Sequence, residues 1–123
     1  QVRRSRYWVA FSGEAEWNGA SSLTSEQRFE LSDDLLRNLE AMFLLLQDGG
    51  TCPLTKVTTL NRVLASRPVL TIRQLSEDAI VSESTAKRWL KSLERRGVLS
   101  SLMKDGQRQF LNEGLIKIMD KYV

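Results

Sequence analysis

The span from Thr71 to Val98 constrains this chain more than any other. It holds two helix starts and a helix stop. Thr71 has Gln74 three residues on, a pairing that satisfies two orphan amides at a helix N-terminus. Ile72, Leu75 and Ala79 follow at helical spacing. Ile80 and Val81 make a turn, Ser82 caps a second helix expected to run to Arg96, and Gly97 offers the left-handed position that closes it. A short capped helix, a tight turn and a longer basic helix ended by glycine is the sequence pattern of a helix-turn-helix.

The flanking segments extend the pattern. Val98 to Lys104 reads as a strand, Asp105-Gly106 as a two-residue hairpin turn, and Gln107 to Leu111 as the returning strand. Asn112 suits the cap of a last helix bearing Leu115, Ile116, Met119 and Tyr122. Upstream, Pro53 suits the first position of a helix lined by Leu54, Val57, Leu60 and Leu64. Arg67-Pro68 ends that helix, because the residue before proline avoids the helical region. Val69-Leu70 is a short β segment. From Pro53 onward the order is helix, β, helix, helix, strand, strand, helix.

Residues 1–50 read as an N-terminal extension. Arg3, Arg4 and Arg6 precede Tyr7, Trp8, Val9 and Phe11, where a short strand fits before the Ser12-Gly13 turn signal. Such a basic, aromatic arm suits nucleic acid, or its rings pack on the domain or a neighbour. Thr24 to Leu31 then reads as a short helix with Gln27 completing its capping box, and Ser32 as the start of another with Asp33 and Asp34 in its first turn. Leu35, Leu36, Leu39, Met42, Phe43 and Leu46 line that helix, and Leu44 and Leu45 widen the stripe. Its end is therefore expected to be buried on most sides, against the domain's own core or a second subunit.

Composition narrows the function classes. No apolar run approaches the roughly 20 residues that span a bilayer, and nothing resembles a signal peptide. Cys52 is alone, so no internal disulfide framework exists; a half-buried thiol in a cytoplasmic protein is the expectation. With no histidine, neither a Cys–His pair nor a Ser–His–Asp triad can form, and no Cys/His zinc site is available. No catalysis and no cofactor are expected. The chain opens on Gln1 rather than Met, which fits a piece of a longer protein. The net charge of +3 hides an asymmetry: residues 1–50 carry 5 basic and 8 acidic side chains, and residues 51–123 carry 13 basic and 7 acidic. A basic C-terminal half suits a phosphate-backbone binder, since each neutralised phosphate releases counterions.

The helix after Ser82 sharpens that reading. At roughly 100° per residue, Ala86, Trp89, Leu90 and Leu93 fall in one sector, and Ser84, Arg88, Lys91 and Arg95 fall opposite, with Lys87 at the flank. One face is core, with Trp89 in it; the other is cationic. Arg88 suits a bidentate contact to guanine or a grip on phosphate. Ser84 and Thr85 are short enough for bases or backbone oxygens near the helix start. Ser82 is first a cap, and the amides around it can also hold a phosphate. Lys91 and Arg95 sit further along and suit phosphates, which position without specifying. Lys104, Gln107 and Arg108 surround the hairpin tip, which either reaches a neighbouring groove or merely closes the sheet. The alternative for the whole face is a solvated charged surface.

The strings from Leu70 to Leu75, Val81 to Arg88 and Leu93 to Leu99 resemble the winged helix-turn-helix of bacterial regulators of the DeoR-like and MarR-like families. The likeness covers about half the chain, roughly Pro53 to Asn112. It implies double-stranded DNA binding as a homodimer with the second helix in the major groove, and Ser82, Ser84, Thr85, Lys87 and Arg88 facing DNA. Arg67 to Thr71 also resembles the winged-helix tails of Fic-type adenylyltransferases, without their histidine motif. Two positions depart from the pattern: Ile80 stands where glycine is usual, and Asp78 where an apolar residue is. These readings together predict a mainly helical protein with a small β-hairpin, residues 51–123 forming the winged helix-turn-helix domain. The expected function is DNA binding in a transcriptional regulator. The rivals are a protein-interaction or dimerisation module and the accessory tail of a larger enzyme.

Overall fold

The computed structural model describes residues 23–122. The expected strand at Tyr7 to Phe11, and the arginines before it, lie outside the described residues. The elements are α1 (Ser25–Leu46), a 3-10 turn (Leu54–Lys56), α2 (Val57–Ser66), β1 (Val69–Leu70), α3 (Ile72–Ala79), α4 (Glu83–Arg95), β2 (Leu99–Lys104), β3 (Gln107–Asn112) and α5 (Glu113–Lys121). The architecture is mainly helical with a small three-stranded antiparallel sheet, ordered β1-β3-β2. Leu99 pairs with Asn112 and Lys104 with Gln107, while Val69 and Leu70 add a third strand beside Leu111 and Phe110.

The helix starts lie where the local chemistry dictates. In both capping boxes the threonine hydroxyl accepts from the glutamine amide, at 3.1 Å for Thr24–Gln27 and 3.2 Å for Thr71–Gln74, and each glutamine side chain accepts from the threonine amide. Gly97 at φ 78° ends α4, with the Val98 amide donating back to Leu93 O at 3.0 Å. Arg67 is extended before Pro68 and stops α2.

Three expectations for the first two helices are corrected. The two helices read at Thr24–Leu31 and from Ser32 are one helix of 22 residues. Ser32-Asp33-Asp34 has the chemistry of a helix start, but no glycine or proline breaks the backbone before it. The end of α1 is not buried on most sides: Met42 and Leu46 enter the core, whereas Leu44 is 68 % exposed. Pro53 precedes the 3-10 turn and α2 begins only at Val57, because Lys56 leaves helical geometry between them; Leu54 faces solvent as a result.

One core unites α1 to α4 with the sheet. Met42 and Leu46 pack with Leu60, Leu64, Leu75, Leu90, Leu93 and Phe110, around a Trp89 that is almost fully enclosed. Cys52 lies in the same core, fully buried rather than half-buried, and burial pushes its thiol pKa up, away from reactivity. Asn112 is buried and ties two elements: its Nδ2 donates to Leu64 O at 3.1 Å, and its Oδ1 accepts the Leu115 amide at 3.3 Å. Arg96 does the same at the far end of α4, donating to Asp48 at 2.5 Å, Thr51 Oγ1 at 3.0 Å and Leu45 O at 3.3 Å.

α5 closes against the N-terminal half of α1. Leu23 and Leu31 surround Tyr122, whose hydroxyl donates to Asp34 at 2.6 Å beside Lys121 Nζ at 3.0 Å. Those two donors hold the Asp34 carboxyl below its ordinary range, and the Gly50 amide and Arg96 do so for Asp48. A carboxylate whose pKa is depressed by folding stabilises the fold above its unfolded pKa. That contribution fades as pH falls through the folded value. The melting temperature should therefore fall as pH drops below about 4, and Asp34→Asn should flatten part of that decline. An acid limb identical in the variant would show that Asp34 is not a contributor.

Candidate nucleic-acid interface

The candidate surface is built on α4. Ser82 caps it, its hydroxyl accepting the Thr85 amide at 3.1 Å and donating to Thr85 Oγ1 at 2.9 Å. Ala86, Trp89, Leu90 and Leu93 are buried, and Ser92 is buried with them, 3.3 Å from Thr51 Oγ1. That back fixes the rotation of the helix about its own axis. Ser84, Lys87, Arg88 and Arg95 consequently face solvent, with Lys91 half-buried among them. No described part of the chain covers this face. Glu83 adds one negative charge in the first turn.

The angle at which α4 leaves α3 is set by the turn. Ile80 adopts φ 55° and ψ 55°, the left-handed conformation that glycine usually supplies. The chain holds a β-branched residue there with help from Ser76, whose carbonyl accepts the Val81 amide at 3.1 Å and whose hydroxyl donates to Val81 O at 2.6 Å. Ile80 is itself 87 % exposed, so little packing offsets its strain. The second unusual position also has a partner, Asp78 accepting from Arg67 Nε at 2.5 Å. Replacing Ile80 by glycine should raise stability by up to about 1 kcal/mol, since the left-handed cost of roughly 1–2 kcal/mol outweighs most of glycine's entropy. A lower urea midpoint for Ile80→Gly would contradict this.

The hairpin tip stands beside the start of α4. Asp105 and Gly106 both have positive φ, 53° and 77°, which is the two-residue turn that matches strand twist. Ser84 and Lys87 of α4, Gln107 and Arg108 of β3, and Arg73 of α3 line one open cleft of about 490 Å³, with Ile72 and Glu83 at its walls. Arg108 is half-buried and its guanidinium donates to Ser101 Oγ at 2.9 Å, which in turn donates to Glu94. That chain of contacts fixes the cation at the cleft.

The expected site residues thus divide. Ser84, Lys87, Gln107 and Arg108 come together in the cleft. Arg88, Lys91 and Arg95 continue along the open face of α4, away from it. Ser82 and Thr85 use their hydroxyls on each other as the cap. Lys104 pairs with Gln107 across the base of the turn and is half-buried. Arg73 is an addition, exposed on α3 and 3.5 Å from Glu77. Its sequence neighbourhood shows only an i,i+4 ion pair on a solvent face, so nothing local marks it.

Among the described residues no cluster of three His, Cys, Asp or Glu side chains could hold a metal ion, and no helix is long and apolar enough to cross a membrane. No protein-family model matches the chain, and no curated protein or solved structure is detectably similar to it.

Proposed function

We propose that this chain is a winged helix-turn-helix that binds double-stranded DNA within a transcriptional regulator, α4 entering the major groove and the β2–β3 hairpin acting as the wing. One observation carries the reading. Arg73, Lys87 and Arg108 come from three separate elements and meet around Ser84 in a single open cleft, at the start of a helix whose back is sealed in the core. Convergent cations beside a helix N-terminus suit a phosphate, and the open face running on through Arg88, Lys91 and Arg95 suits the groove next to it. Arg88 and Ser84 are the groups placed for base edges; Lys91, Arg95 and Arg108 are the groups for backbone.

The test is binding of the full chain to a random-sequence duplex, followed by fluorescence anisotropy. Affinity should fall steeply with salt, log K against log[salt] having a slope of roughly −0.9 for each phosphate neutralised. Absence of binding at low salt, or binding indifferent to salt, would reject the reading.

A second reading, a protein-interaction module, has its own support. Phe29, Leu36 and Leu44 stand on α1 at 75 %, 52 % and 68 % exposure. Apolar side chains so exposed along one helix suit a protein partner. Light scattering with and without DNA separates the two, since a stable assembly indifferent to DNA favours the second.

A further inference from the structure

We propose that the apolar run at residues 7–11 of this chain docks in the groove between its own α1 and α2, the segment before α1 folding back over that helix. The inference does not depend on DNA contact. It gives to the chain itself the face that the second reading above gives to a protein partner.

The groove holds about 700 Å³, within the roughly 300–1,000 Å³ of recesses that bury an apolar ligand. Leu39, Phe43 and Leu44 form its α1 wall, and Ala65 lies on its α2 wall. Asn61 at the groove already donates to Leu39 O at 3.1 Å, so its side-chain amide has a partner within the fold. Phe29 and Leu36 lie on the same side of α1 as Phe43, each seven residues from the next, or about two helical turns. Exposed Phe29 and Leu36 thus mark an apolar track from the start of α1 to the groove.

The segment before α1 has a matching need. Tyr7, Trp8, Val9, Ala10 and Phe11 are five consecutive apolar residues, and Trp17 follows them. Two of the three tryptophans therefore precede α1, while the third, Trp89, is already sealed in the core. Large rings gain most from leaving water, and the recess beside Phe43 is open to them.

Chain length selects which ring goes where. Leu23 is buried against Leu31 and Tyr122, which fixes the exit of the segment at the start of α1. Phe43 lies 18 residues beyond Ser25, about 27 Å along the helix. Phe11 stands twelve residues before Leu23 and can extend to about 40 Å, so it reaches the groove with slack. Trp17 stands six residues before Leu23 and extends to about 20 Å, short of Phe43 and level with Leu36. Charge agrees. Arg6 and Glu14 flank the apolar run, and the groove carries Glu40 on one wall and Arg62 on the other. Neither Glu40 nor Arg62 pairs with another side chain among the described residues. One charge of each sign thus meets one of each sign.

The test is disulfide trapping in the full chain. Phe11→Cys with Ala65→Cys should close a bond within one chain, since native Cys52 is only 3 % exposed and does not compete. That bond should form at least about tenfold faster than in Phe11→Cys with Met103→Cys, whose second site is exposed on β2. Adding Trp8→Asp to the first pair should slow closure about tenfold, with circular dichroism reporting an unchanged fold. A rate no faster than the Met103 control, or one indifferent to Trp8→Asp, would overturn the proposal. So would a bond formed only between chains, which would give the groove to a second copy.

Discussion

Replacing Arg88 and Lys91 together by alanine should weaken duplex binding by roughly ten- to several-hundred-fold while leaving the melting temperature nearly unchanged. The expectation comes from their position. Arg88 is exposed and Lys91 half-exposed on the outer side of α4, and neither side chain pairs with another among the described residues. Loss of an arginine in bidentate contact with a base costs about 1–3 kcal/mol of binding, and loss of a phosphate contact lowers the salt slope by about 1. The two variants taken singly should differ in kind. Arg88→Ala should relax discrimination between sequences, whereas Lys91→Ala should weaken all duplexes alike. Anisotropy titrations at two salt concentrations measure both effects. Equal affinity of the wild type and the double variant would remove α4 as the reading helix.

The second large effect concerns stability. Asn112→Ala should destabilise the fold by about 2–4 kcal/mol, because it removes an N-cap and leaves the buried Leu64 carbonyl without its donor. Asn112 is only 1 % exposed, so water does not replace either bond. In a domain of this size each kcal/mol moves the melting temperature by about 4–8 °C, so the loss should reach roughly 10–25 °C. Asn112→Asp keeps the cap but discards the donor and buries a charge, so it should not rescue. A calorimetric shift of only a degree or two for Asn112→Ala would show that the cap and the Leu64 contact are dispensable.

Features that depend on a few adjacent residues were readable in advance. Thr24 with Gln27, Thr71 with Gln74, Ser82, Gly97, Asp105-Gly106 and Asn112 all act where their local chemistry assigns them. Each satisfies or redirects the backbone within one turn, so no distant contact is needed. The same chemistry misleads where it is redundant. Ser32-Asp33-Asp34 looks like a start, yet it lies inside α1 because the helix before it has no reason to stop. The orientation of the α4 face was legible because Ala86, Trp89, Leu90 and Leu93 define its back unambiguously. The cleft was legible only in part. Arg73 joins Lys87 and Arg108 through the crossing of α3 over α4, an angle that no single helix encodes. Leu36 and Leu44 read as part of one apolar stripe, to be covered by the domain's own core or a second subunit, since a leucine facing solvent and one facing a neighbour have the same spacing. Leu44 shows the difference only once the fold is assembled.

Arg96 joins two helices mechanically. Its guanidinium bolts the last turn of α4 to the exit of α1, gripping a carboxylate, a hydroxyl and a main-chain carbonyl at once. Rolling or tilting either helix alone stretches all three contacts. The corner therefore behaves as a brace, and a torque applied at one rod is handed to the other rather than absorbed in the bend between them.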